Sequence, residues 1–405
     1  MFDNLLYQNA AGLLRDDIVR GGLPGAVLLA GPDSSGKLTC ALEIARVLSC
    51  TAAERRGQWL CDCPSCRRHK ELASTNVLLA GPRDCSLEIL AAQRAFLAAA
   101  TDNAPYLLAA RYLFVRAVRK LTMRFSQVLW EDDEKVSKIA PLIQAVDELL
   151  EQIDGTKPLP AHDRLEKICA DTVKQAEKLA ASFMYDALPI SQIRRASAWA
   201  RHKSPDGKKV CIIEHADRMN EAARNALLKI LEEPPADTVF ILTTSRRGAV
   251  MPTILSRVRT YSFVQRTEAQ QAEVLARVFH ADAGAGGRTI DGYLQTFLPV
   301  TPDAVRDCAR AFYASVEQGT FPAVADMVKS CAGFEPRLLF RLFLAGVLDA
   351  QNTDALTARG SERAAKNAAA LRECHANVVS YNQTPAAALE SLWRELFAVC
   401  RAERR

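Results

Sequence analysis

The run Gly31-Pro32-Asp33-Ser34-Ser35-Gly36-Lys37 has the composition of a loop that cradles phosphate. It fills the first seven positions of G-x-x-x-x-G-K-[ST]. In such a loop backbone N–H groups close around the anion, and the lysine adds a point charge. The string alone is a weak signal; an apolar strand before it and a helix after it strengthen the reading. The eighth position departs from the pattern, because Leu38 stands where a hydroxyl should hold magnesium. Thr39 comes one residue late, and one residue on a helix is a turn of about 100°. The candidate nucleotide residues are therefore Gly31, Gly36, Lys37 and Thr39, in a loop expected to bind nucleotide weakly or not at all.

A second chemical signal is the apolar strand Val210-Cys211-Ile212-Ile213, which ends in Glu214-His215-Ala216-Asp217. In phosphate-transferring enzymes this strand carries an aspartate for Mg²⁺, often followed by a glutamate that polarises water. Here Glu214 takes the first position and His215 the second. A histidine, largely neutral at pH 7, is a poor substitute for a fixed carboxylate. Hydrolysis by this chain is not expected, on two independent defects.

The third signal is metal chemistry. Of the 12 cysteines, Cys50, Cys61, Cys63 and Cys66 cluster within 17 residues. Four thiolates complete a closed tetrahedral zinc site, and such clustering favours metal over disulfide inside a cell. The spacing is C-x-C-x-x-C after Cys50, so His69 stays open as a substitute for Cys61. The expected zinc is structural. The scattered cysteines, among them Cys40, Cys169, Cys211, Cys308 and Cys400, read as buried free thiols.

These residues need elements to position them. A helix and turn occupy residues 2–25, with Gly21, Gly22, Pro24 and Gly25 breaking the chain before the strand 26–30. A helix follows over 38–48, and a second strand over 76–80. Residues 88–186 are helix-prone and predict an insertion of two or three helices. Its Arg111, Arg116, Arg119, Lys120 and Arg124 recur at helical spacing and read as a solvated face. Alternation resumes with a helix over 193–199, a strand over 209–213, a helix over 221–232 stopped by Pro234-Pro235, and a strand over 239–243. This alternation implies an α/β domain with a parallel sheet. Beyond residue 264 only helical patterning is present.

Several strings are similar to bacterial clamp-loader subunits: Phe2-Asp3-Asn4-Leu5 with Gln8, Ile213 to Met219, Asn225 to Lys229, Leu231 to Pro235, and Thr253 to Arg257. The Ile-Glu-His-Ala-Asp string and the weakened loop resemble the delta-prime type of that family rather than the ATP-hydrolysing gamma/tau type. The resemblance is firm over about 1–70 and 190–263; residues 88–186 match nothing in it. It implies a AAA+ P-loop-like domain over 1–263 with a zinc knuckle at 50–66, a helical lid over 264–311, and a helical collar over 312–405. It also implies that Arg257 reaches the ATP of an adjoining subunit, where a guanidinium is worth about 10³–10⁵ in rate. The family motif is Ser-Arg-Cys; Val258 replaces the cysteine here. Thr244 holds the place that senses the γ-phosphate in the family. The implied partners are gamma/tau and delta chains in a hetero-oligomeric ring, with the sliding clamp and primer–template DNA reached through that complex. Two other readings are an autonomous AAA+ ATPase, against which Leu38, Glu214 and His215 argue, and a zinc-bearing nucleic-acid binder using the basic insertion residues.

Composition agrees with a soluble chain. A hydrophobic content of 49% is ample for buried cores, and a net charge of +5 neither demands nor forbids nucleic acid. The first residues lack the basic start and apolar run of a signal peptide, and the longest apolar stretches fall far short of a membrane span. A cytoplasmic location is expected.

Overall fold

Four of the five strands in the computed structural model are short, largely apolar and buried along their whole length, as strands covered on both faces must be. The structure describes residues 1–185, 187–204, 207–281, 289–352, 358–379, 381 and 383–403. It divides into two units, Met1–Leu294 and Gln295–Arg405.

The first unit opens with α1 (Ala10–Val19), β1 (Ala26–Ala30), α2 (Lys37–Leu48), α3 (Pro64–Lys70) and β2 (Val77–Ala80). The insertion follows as α4 (Ser86–Thr101), α5 (Leu107–Thr122), α6 (Gln127–Trp130), α7 (Val136–Gln152) and α8 (His162–Phe183), more helices than the sequence predicted. Next come α9 (Ile190–Arg201), β3 (Lys209–Ile213), α10 (Glu221–Glu232), β4 (Thr238–Thr244), α11 (Pro252–Leu255), β5 (Arg259–Ser262), α12 (Glu268–Val278) and α13 (Ile290–Gln295). The strands form a five-stranded parallel sheet in the order β2-β3-β4-β1-β5. β5 went unforeseen, because Arg259-Thr260-Tyr261-Ser262 buries only its tyrosine fully and carries no apolar run.

Side chains alternate across the sheet. Val27, Leu29, Val210, Ile212 and Ile241 meet Leu14 of α1 and Leu42 and Ile44 of α2. Leu28, Leu78, Cys211, Phe240 and Leu242 face the other way and join Phe96 of α4, Phe114 and Val118 of α5, Ile168 of α8 and Leu227 of α10. The insertion therefore supplies much of one face of the sheet's core. Local signals set the helix ends: the Asn220 side chain caps α10, and Thr267 with Gln270 forms a capping box on α12.

The second unit holds α14 (Pro302–Gln318), α15 (Val324–Ser330), α16 (Leu338–Asn352), α17 (Ala358–Val379) and α18 (Pro385–Glu403). Thr301 caps α14 above Pro302, and Gly319 ends it in the left-handed region. Phe312, Phe334, Phe340 and Phe343 pack edge to face in its core. Among the described residues, no helix is long and apolar enough to cross a membrane.

Candidate nucleotide pocket and metal centre

The phosphate-type loop joins β1 to α2, as its sequence required. Gly36 sits at φ 95° at the start of α2, a conformation that favours glycine. A Cβ on Gly31 would lie 2.5 Å from the carbonyl oxygen of Phe263, so the approach of the chain just after β5 also demands glycine. Lys37 turns back on the loop itself. Its ammonium donates to Gly31 O at 2.7 Å and to Pro32 O. It is 9% exposed, and burial lowers its pKa, with Asp33 opposing. Leu38 is buried in the α1–α2 side of the core, while Thr39 is half-buried on α2. Arg266, also buried, donates to Ser34 O at 2.9 Å and to Leu6 O, and the Ser34 hydroxyl donates to Asp291 at 2.5 Å. The loop's lysine and its Ser34 carbonyl are thus committed to protein partners.

Glu214 lies at the end of β3, 3% exposed. Arg83 donates to its Oε1 at 3.2 Å, and Arg124 donates to its Oε2. Burial pushes the Glu214 pKa up, but Arg124 and Arg83 outweigh it and hold the carboxyl below its ordinary value. Gly81, at φ 121°, lets the end of β2 press against this residue; a Cβ there would lie 2.6 Å from Glu214 O. His215 adopts φ 52°, and its buried Nδ1 has no hydrogen-bond partner. Burial lowers its pKa, followed by the charge of Arg218. The Thr244 hydroxyl donates to Asp217 at 2.7 Å, and Arg246 donates to the other oxygen of that carboxylate at 3.2 Å. Thr244 therefore ties β4 to the turn after β3. A divalent cation does not fit Glu214 or Asp217 as they stand, since both carboxylates are already held by guanidinium or hydroxyl.

The four clustered cysteines do converge. The Sγ atoms of Cys50, Cys61, Cys63 and Cys66 all lie within 4.8 Å of one another, and Cys50 and Cys61 are 3.7 Å apart. A tetrahedron with metal–sulfur bonds of about 2.3 Å has edges of about 3.8 Å, so the cluster can hold a metal ion. Cys61 belongs to this set and His69 does not, which settles the alternative left open by the spacing. Arg46 backs the cluster: it donates to Cys66 Sγ at 3.2 Å, to Gly57 O and Gln58 O, and to Glu43 at 2.9 Å. Burial raises the Cys66 pKa, and the charge of Arg46 opposes that rise without overcoming it. No disulfide joins the described cysteines, and those outside the cluster are buried except the partly exposed Cys308.

His69 is 4% exposed, with no partner at Nε2. Burial, reinforced by Arg46 and Arg116, pushes its pKa down to about 4. Its folded pKa lies below the unfolded value, so the unfolded chain binds a proton that the folded site refuses. Stability is expected to fall as pH drops from about 6.5 towards 4, and His69→Leu should flatten that slope in urea melts at a series of pH values.

The basic insertion residues do not form a solvated face. Arg116 donates to His69 O at 3.1 Å and Lys70 O at 2.8 Å, and Arg119 to Glu71 O at 2.8 Å, satisfying carbonyls at the end of α3. Arg111 binds the carbonyls of Ile153 and Lys157, Lys120 pairs with Glu88, and Arg124 is fully buried. The missed signal is that α5 is apolar on several faces, so its basic groups had to be buried with partners. Sequence reasoning also missed Arg83, Arg266 and Arg46, which lie in strings without a motif.

Arg257 follows α11 and stands at the surface with its side chain 30% exposed. It donates to Thr253 O at 2.7 Å and holds Glu232, at the end of α10, through Nε at 2.8 Å and through Nη2. Val258 is buried beneath it.

Comparison with known proteins finds similarity to one family over short regions. Residues 165–267 match the family model described as DNA polymerase III, delta subunit. The match begins inside the region that the sequence left unplaced and takes in most of α8. A DNA polymerase III subunit delta' from Haemophilus influenzae is 41% identical over 74 residues, 18% of this chain and 23% of that protein. A DNA polymerase III subunit gamma/tau from Mycobacterium bovis is 40% identical over 70 residues, 17% of this chain and 12% of that protein. The chain thus spans less than a quarter of the length of either relative. A crystal structure of a DNA polymerase III, gamma subunit-related protein from Thermotoga maritima covers 59% of this chain and 90% of that one, at 18% identity and a TM-score of 0.30.

Proposed function

We propose, on the premise that this chain is related over short regions to the delta-prime subunits of the DNA polymerase III clamp loader, that it serves as such a subunit without firing ATP itself. In this reading it joins gamma/tau and delta chains in a ring that loads the sliding clamp on primed DNA. Arg257 acts on the ATP of a neighbouring gamma/tau subunit. One contrast carries the reading: Lys37, Glu214 and Thr244 are buried among their partners in the chain, while Arg257 is part-exposed and paired with an exposed glutamate. A guanidinium so placed can exchange one anion for another. The four-thiol cluster holds zinc in a structural role, since tetrahedral sulfur ligation with no open position suits that ion.

The similarity to gamma/tau proteins supports one alternative, an ATP-hydrolysing subunit. Steady-state hydrolysis by the isolated chain separates the two: turnover of about 1 s⁻¹ or faster, ordinary for an enzyme, would establish the alternative. Under the leading reading Lys37→Ala changes the DNA-stimulated ATPase of a reconstituted complex by less than about twofold, because this lysine meets its own loop. A collapse of activity in that variant would show that the pocket turns over nucleotide.

A further inference from the structure

We propose that Arg124, carried by the helical insertion and seconded by Arg83, permanently holds Glu214 in the place of a divalent cation. This deepens the reading of a silent pocket. It rests on no assumption about the ring.

The geometry is specific. Glu214 offers one oxygen to each guanidinium, Oε1 to Arg83 at 3.2 Å and Oε2 to Arg124. Arg83 bridges onward to Glu88 at 2.9 Å, and Lys120 closes the network on the same carboxylate. Two carboxylates and three cations thus form one network. The Arg124 side chain is 0% exposed and that of Glu214 is 4% exposed. The other two nitrogens of Arg124 are engaged as well: Nε donates to Gly81 O at 3.1 Å and Nη1 to Lys120 O. Its own carbonyl accepts from Trp130 Nε1 at 2.9 Å, which fixes the turn after α5.

Magnesium demands oxygen ligands at about 2.0–2.1 Å in near-octahedral array. Neither Glu214 oxygen is free to offer this, and a divalent ion would meet the charge of two guanidiniums at close range. The insertion therefore does internally what a metal does elsewhere: it balances a buried acid at the end of β3 so that the sheet packs without nucleotide. This gives the insertion a role that its sequence, matched to nothing at the outset, did not show.

The test uses the full chain and its melting temperature in the presence and absence of millimolar Mn²⁺ or Mg²⁺. Wild-type protein should melt at the same temperature with either ion, with or without ATP. Arg83→Ala/Arg124→Ala exposes a buried unpaired carboxylate and should melt about 5 °C lower or more. Millimolar Mn²⁺ should recover at least half of that loss, while sodium chloride of equal ionic strength should not. Arg124→Met/Glu214→Gln, a neutral pair of similar volume, should melt near wild type without metal. The proposal is overturned if Mg²⁺ with ATP stabilises the wild type, if the double alanine variant melts like wild type, or if Mn²⁺ fails to restore it. Should that variant not fold, the neutral pair decides: a folded protein supports the proposal and an unfolded one overturns it. Loader activity of the neutral-pair variant reports separately on the subunit reading, because Arg257 is untouched.

Discussion

Arg257→Ala in a reconstituted complex is expected to leave assembly intact while cutting DNA-stimulated ATP hydrolysis at the adjacent site by about 10³-fold or more, the range found for arginines supplied in trans. That factor corresponds to about 4 kcal/mol of transition-state stabilisation. Assembly should survive because the side chain is part-exposed and its partner Glu232 is 49% exposed, so the pair contributes little to folding. Arg257→Lys should fail nearly as badly, since a point charge lacks the planar fork that spans two phosphate oxygens. Glu232→Gln separates role from context: it releases the arginine from its resting partner and should not lower the rate. Phosphate release from a complex with primed DNA and clamp is the measurement. Unchanged hydrolysis in Arg257→Ala would remove the proposed role.

Stripping the metal from the cysteine cluster is the second large effect. The chain should carry about one zinc per molecule by elemental analysis, the stoichiometry of one closed site. Chelation, or Cys66→Ser, should disorder residues 50–70, because apparent binding energies of structural zinc reach about 10–16 kcal/mol and much of that is folding energy. The damage should spread beyond the knuckle. Arg46 and its partner Glu43, 1% and 2% exposed, are oriented against Cys66, and Arg116 and Arg119 of α5 rest on the end of α3. Breaking such a buried pair costs about 3–5 kcal/mol. A fall in melting temperature on chelation, reversed by adding zinc, checks this; a metal-free preparation that melts like the untreated protein would defeat it.

Much of the framework was legible because it rests on local rules. Strands covered on both faces had to be continuous apolar runs, and Ala26–Ala30, Lys209–Ile213 and Thr238–Thr244 formed where those runs lie. β5 escaped because an edge strand buried on one face needs only Tyr261. The insertion's helical character was visible in its composition, but its five helices were undercounted, since the breaks at Asn103 and Ser126 were not read as helix ends. At the site, the four cysteines were readable from spacing, whereas the choice between Cys61 and His69 needed coordinates.

Residue identity by itself determined what two positions cannot supply: the Leu38 side chain offers no oxygen, and His215 offers no fixed negative charge. It also determined the thiol count of the metal cluster and the local turn that demands glycine at Gly36, whereas Gly31 is demanded by the tertiary approach of Phe263. Only the tertiary structure decided where the charges go. Arg124 and Glu214 are 90 residues apart in the chain, Arg116 and His69 are 47 apart, and no periodicity links them. The reason is physical: burying a charge is tolerated only with a partner, and the fold, which brings α5 against the sheet and the knuckle, chooses that partner.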